Sequence, residues 1–150
     1  MINVDQIKKL REQTGAGIAD IKEALEEAKG DEKKALEILK KKGLDKAAKK
    51  ASRETAAGVV ESYIHANKES GAMVVLTCET DFVARNEEFQ KLAHEIAMQV
   101  CAMNPKDTKE LLSQPWIRDE KQTIADIIKS HIAKFGENIK IKEIRKFAIK

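Results

Sequence analysis

Several kinds of residue and motif are scarce or missing in this chain, and each absence closes off a class of function. Cysteine occurs only twice in 150 residues, at Cys78 and Cys101, far apart and in no paired motif. Two free thiols fit a reducing compartment, so a cytoplasmic protein is expected. No apolar stretch approaches the ~20 residues that a membrane-spanning helix needs. The start, Met1-Ile2-Asn3-Val4-Asp5, has neither a basic n-region nor an apolar h-region, so no secretory signal is expected. The three histidines, His65, His94 and His131, fall on separate predicted elements without HExxH spacing, and no metal site is expected. Gly15-Ala16-Gly17 follows a helix rather than a strand and lacks the Walker or dinucleotide pattern, so no cofactor is expected either. Nothing near Cys78 in sequence supplies an orienting base for a nucleophile. Together these absences argue against an enzyme with an active site of its own.

Charge is nearly balanced overall, with 28 basic and 25 acidic residues, but it is unevenly placed. Residues 33–53 hold nine Lys or Arg against two acids, Glu37 and Asp45. Such a segment can bind nucleic acid or an acidic protein face, or it can be a solvated helix face. No aromatic residue lies within it to stack on bases, which favours the solvated reading and no direct nucleic-acid binding.

The chain divides near residue 55. Three short helices are expected over residues 1–45, a connector over 46–55, and a mixed domain over 56–150. Asn3 and Gln6 form a capping-box start, followed by the stripe Val4, Ile7, Leu10, and Gly15 ends the first helix. A second helix sets Ile18, Ile21, Ala24, Leu25 and Ala28 on one face, with Gly30 as its stop. Asp31 caps a third, with Ala35, Leu36 and Leu39 inward and Gly43 as its expected end. Lys46–Glu54 reads as a partly helical connector with little to bury.

In the second part, Gly58–His65 and Ala72–Cys78 flank Asn67-Lys68-Glu69-Ser70-Gly71 and read as an antiparallel hairpin. From Asn86, the positions Phe89, Leu92, Ala93, Ile96, Ala97, Val100 and Cys101 follow one helix face that ends before Pro105. After an irregular stretch, Thr123 with Asp126 starts another helix along Ile124, Ile127, Ile128, His131 and Phe135, and Gly136 stops it. The tail reads as a strand in which Ile139, Ile141, Phe147 and Ile149 share one parity and Ile144 breaks it. The order β-β-α-α-β gives an α+β fold: a helical bundle, then a three-stranded antiparallel sheet packed against helices.

One junction stands out. Glu79-Thr80-Asp81-Phe82-Val83-Ala84-Arg85 joins a buried-strand pattern to a strongly periodic helix, at a rim where function tends to sit. It pairs a carboxylate with a large aromatic in a chain only 4% aromatic. Two readings compete. Phe82 and Asp81 can form a wedge against a partner, or Phe82 can anchor the loop to its own core while Asp81 caps the next helix.

Leu10-Arg11-Glu12-Gln13-Thr14-Gly15-Ala16-Gly17, continued by Asp20-Ile21-Lys22-Glu23-Ala24-Leu25, closely resembles the amino-terminal helical domain of the elongation factor Ts family. So does Thr80-Asp81-Phe82-Val83-Ala84-Arg85-Asn86, and Gly136-Glu137-Asn138-Ile139 is similar to the family's carboxy-terminal signature. The resemblance implies a guanine-nucleotide exchange factor for the GTPase elongation factor Tu. It implies that the ubiquitin-associated-like helical module docks on that GTPase, with Arg11 and Ile18 as docking positions. It implies further that Thr80, Asp81, Phe82 and Val83 insert beside the nucleotide and dislocate its magnesium ion. Longer family members carry a second half of the core, whereas only Asn104 to Pro115 separate Met103 from Trp116 here. A short form of this kind is expected to restore the missing half as a homodimer. Where the family's last strand usually carries adjacent basic residues, this chain has Lys142-Glu143. The rival readings are a peptide-binding adaptor built on the helical module and a basic RNA-binding module.

Overall fold

Helix caps organise the first third of the chain. The computed structural model of the protein describes residues 2–150. Helix α1 (Val4–Thr14) opens on a complete Asn3–Gln6 capping box and closes at Gly15, whose φ of 70° supplies the left-handed stop. Helix α2 (Ile18–Glu27) follows, and Asp31 caps α3 (Glu32–Lys50) by accepting the backbone N–H groups of Lys33 and Lys34. Their shared core is Leu10, Ile21, Ala24, Leu25, Ala28, Ala35 and Leu39.

Three details of this bundle differ from expectation. Gly43 does not end α3, which runs on to Lys50 and buries Ala47. Gly15 stops a helix because it adopts positive φ, whereas Gly43 stays helical, and a Cβ there would meet that of Ala133 in ordinary van der Waals contact at 3.4 Å. Val4 and Ile18 leave the predicted apolar faces and are 77% and 46% exposed.

Strands β1 (Ala57–Ile64) and β2 (Ser70–Cys78) form the expected antiparallel hairpin. A single helical turn, α4 (Asp81–Ala84), precedes the long helix α5 (Glu87–Met103). Helix α6 (Thr108–Ser113) and a small hairpin of β3 (Pro115–Trp116) and β4 (Asp119–Thr123) occupy what read as an irregular stretch. Helix α7 (Ile124–Phe135) starts on a Thr123–Asp126 capping box, and β5 (Lys140–Ala148) pairs antiparallel with β2. The sheet order is β1-β2-β5, so the fold is α+β.

The chain forms two compact units, Met1–Ser52 with Lys129–Gly136, and Arg53–Ile128 with Glu137–Lys150. In the second, α5 buries Phe89, Leu92, Ala93, Ile96, Ala97 and Val100 against the inward residues of the sheet, chiefly Ala72, Val74 and Leu76. The broken parity of the tail is a β-bulge. Val75 pairs with Glu143 and Leu76 with Ile141, leaving Lys142 as the extra residue. The bulge returns Ile144 to the inward side with Ile141 and sends Phe147 outward, 59% exposed.

Candidate functional site

The junction after β2 is a braced turn. Thr80 caps α4 with extended backbone, and its Oγ1 accepts the N–H of Val83 at 3.4 Å. At the far end Ala84 is buried, and the Gln90 side chain donates to the Ala84 carbonyl at 3.2 Å. Between these anchors Phe82 stands 86% exposed, with Asp81 exposed beside it and Val83 half-buried. The reading in which Phe82 anchors the loop is therefore corrected, because the inward contact of this turn is made by Ala84. Asp81 does not cap the next helix either. Asn86 does, accepting the N–H of Glu88 at 2.8 Å.

Side chains distant in sequence hold the turn's leading edge. The Glu137 carboxylate accepts the N–H groups of Glu79 at 3.1 Å and Thr80 at 3.0 Å, and the Thr80 hydroxyl donates to it at 2.7 Å. The Glu79 carboxylate in turn accepts the N–H of Asn138 at 2.6 Å and lies 3.6 Å from the Arg53 guanidinium. Buried Asn138 donates to the Arg53 carbonyl at 2.8 Å. Sequence reasoning quoted Glu79, Glu137 and Asn138 within motifs but gave them no structural part. Glu79 and Glu137 sit at the ends of elements far apart in the chain, and a single sequence carries no signal that joins them.

Acidic side chains of this rim act on the neighbouring thiol. Cys78, buried directly before the turn, has its thiol pushed up to about 11, first by burial and then by the charge of Glu137, with a smaller contribution from Asp81. Its S–H donates to the Thr80 carbonyl at 3.2 Å, so Cys78 is a packed, protonated thiol rather than a nucleophile. No group of three or more His, Cys, Asp or Glu side chains placed to hold a metal ion occurs among the described residues. No helix among them is long and apolar enough to cross a membrane.

Thr80, Asp81, Phe82 and Val83 are thus brought together on one short turn. Arg11 and Ile18 belong to the helical unit, both exposed, on the last turn of α1 and at the first position of α2.

Residues 79–150 match the family model described as Elongation factor TS. The chain is 41% identical to Elongation factor Ts of Thermosipho melanesiensis, with 99% of each chain covered. It is 42% identical to that of Petrotoga mobilis, over 99% of this chain and 98% of the relative. Against Elongation factor Ts of Aquifex aeolicus it is 48% identical over 93% of this chain and 50% of the relative. The first two alignments run over 194 and 193 positions, so those relatives carry residues with no counterpart in this 150-residue chain.

Proposed function

The chain belongs to the elongation factor Ts family, and from that premise we propose that it promotes release of GDP from the GTPase elongation factor Tu in the cytoplasm. The observation that carries the mechanism is the exposure of Phe82 at 86% on a turn fixed at both ends. Leaving a phenylalanine ring in water forgoes roughly 1.5–3 kcal/mol of burial, which an apolar groove on the GTPase would recover. Asp81, next to the ring, brings negative charge toward the nucleotide's phosphates and competes with them for the magnesium ion. Exchange then needs no covalent step. The factor and GDP-magnesium each weaken the other's hold on the same GTPase by one coupling free energy. The helical unit supplies docking affinity through Arg11 and Ile18. Mixing the protein with elongation factor Tu loaded with fluorescent GDP tests this: accelerated release is expected, and release at the spontaneous rate would refute it.

A second reading concerns a second copy of the chain. The outward side of the sheet presents Val60 at 63%, Ile64 at 63%, Met73 at 43% and Phe147 at 59% exposure, with Gly71 paired between Ile64 and Phe147. An apolar sheet face of this kind marks an interaction surface. Homodimerisation through it would supply the part of the core that the longer relatives carry in one chain. Sedimentation equilibrium should give a dimer that Met73→Lys dissociates; a monomeric wild-type protein at micromolar concentration would refute the pairing.

A further inference from the structure

We propose that Glu137 is a positioning residue for nucleotide exchange, setting the angle at which the Asp81–Phe82 turn leaves the surface; this rests on the reading of that turn as the exchange element. Four helical residues cannot sustain themselves, because the first turn fixes several dihedrals for a single hydrogen bond. Its leading N–H groups also lack helical partners. Glu137 answers both needs from outside the turn. One carboxylate oxygen takes the N–H groups of Glu79 and Thr80, and the other takes the Thr80 hydroxyl proton. With that proton committed, the Thr80 oxygen is left to accept the N–H of Val83. Three charge-assisted bonds thus fix both the backbone entering the turn and the rotamer of its cap.

The brace is closed by a second strut running the opposite way. Gly136, at φ 72°, ends α7 and turns the chain so that Glu137 and Asn138 meet residues 79 and 80. The Glu79 carboxylate then accepts the Asn138 N–H, while the Asn138 side chain donates to the Arg53 carbonyl. Phe82 sits two residues beyond the cap, so a change of cap angle swings the ring. A displacement near 1 Å at a reacting geometry can lower a rate by about 100-fold.

The test uses the full chain, elongation factor Tu loaded with fluorescent GDP, and four variants: Glu137→Ala, Glu137→Gln, Phe82→Ala and the Phe82→Ala/Glu137→Ala double variant. Glu137→Ala should slow stimulated release about tenfold or more, and the double variant should be no slower than Phe82→Ala alone. Glu137→Gln should recover most of the rate, since its amide oxygen accepts the same two N–H groups and its amide nitrogen can donate to the Thr80 oxygen. Amide exchange at Glu79 and Thr80 should rise in Glu137→Ala and return toward wild type in Glu137→Gln. Losses that simply multiply in the double variant would overturn the positioning role, as would unchanged release in Glu137→Ala while Phe82→Ala is slow. Unchanged release in Phe82→Ala would instead overturn the exchange role of the turn itself, and this inference with it. If Glu137→Ala does not fold, the same cycle run with Glu137→Gln decides, together with its Thr80 amide protection. A residual defect coupled to Phe82, with Thr80 protection lowered, supports the role, and a defect independent of Phe82, or lowered protection with release unchanged, overturns it.

Discussion

Phe82 and Ala84 lie two positions apart on one helical turn and occupy opposite extremes of exposure, 86% for the ring and 6% for the alanine. The turn is held to the body of the domain through the small residue, and the large one is left over.

That division predicts the behaviour of Phe82→Ala. Its melting temperature should stay close to wild type, while acceleration of GDP release falls about 10- to 150-fold, the equivalent of roughly 1.5–3 kcal/mol of burial lost from the complex. Phe89→Ala is the contrast: that ring is fully buried on α5, and its removal should cost about 3–5 kcal/mol of stability. Asp81→Asn should slow release with no change in melting. A Phe82→Ala protein that melts far below wild type yet exchanges normally where folded would dispose of the wedge.

Gln99 should prove a structural polar residue of the core. It is fully buried, donates to the Gln114 side chain at 3.3 Å and the Pro115 carbonyl at 3.0 Å, and accepts the Ile117 N–H at 3.0 Å. Gln99→Leu leaves those groups unpaired, at a cost of about 1–3 kcal/mol. Because Trp116, the only tryptophan, lies on the hairpin so anchored, its fluorescence should shift to the red and become easier to quench with acrylamide.

The basic segment divides into paired and solvating lysines. Lys46 donates to Asp20 at 2.9 Å, and this bond, with the charges of Lys46 and Lys42, holds the Asp20 carboxyl below its ordinary value. A lowered folded pKa contributes stability above the ordinary carboxylate range and loses it as pH falls through the lowered value. Lys46→Ala should therefore be less stable than wild type at neutral pH, by no more than about 1 kcal/mol for so exposed a pair. The two melting curves should converge in acid. Reversing Lys40, Lys41 and Lys49 to Glu should change exchange only modestly, and complete loss of partner binding with the fold intact by circular dichroism would mark this face as a docking surface.

Cys78 should resist alkylation in the native protein at neutral pH, because its thiol is buried and titrates only at about 11. The sign of the linkage is unfavourable in base. The unfolded thiol ionises near 9.0, so stability declines as pH rises from there toward 11. Cys78→Ala should remove that part of the slope in pH-dependent denaturant titrations, and an identical slope would show that other groups cause it.

Much of the local structure was legible from residue types at fixed offsets. The caps at Asn3, Asp31 and Thr123 all form, and the left-handed stops fall at Gly15 and Gly136. Gly43 shows the limit of such reading. A glycine marks a helix end when its backbone turns left-handed, but Gly43 keeps a helical backbone and α3 runs through it to Lys50. The parity break at Ile144 was visible as an anomaly. It became a bulge at Lys142 only through the register against Val75 and Leu76 on another strand.

The sequence by itself determined the starts of the longer helices, the hairpin, the α+β order and the family likeness, because these depend on periodicity and on short motifs read within a few residues. Whether Phe82 faced the core or the solvent was undetermined by any such pattern, since an aromatic beside a carboxylate on a rim fits both. The tertiary structure decided it. Ala84 and Gln90 secure one end of the turn, and the Glu79–Glu137 brace secures the other. The contacts of that brace join groups up to 59 residues apart, brought together only when residues 79 and 80, at the end of β2, meet residues 137 and 138 in the folded domain.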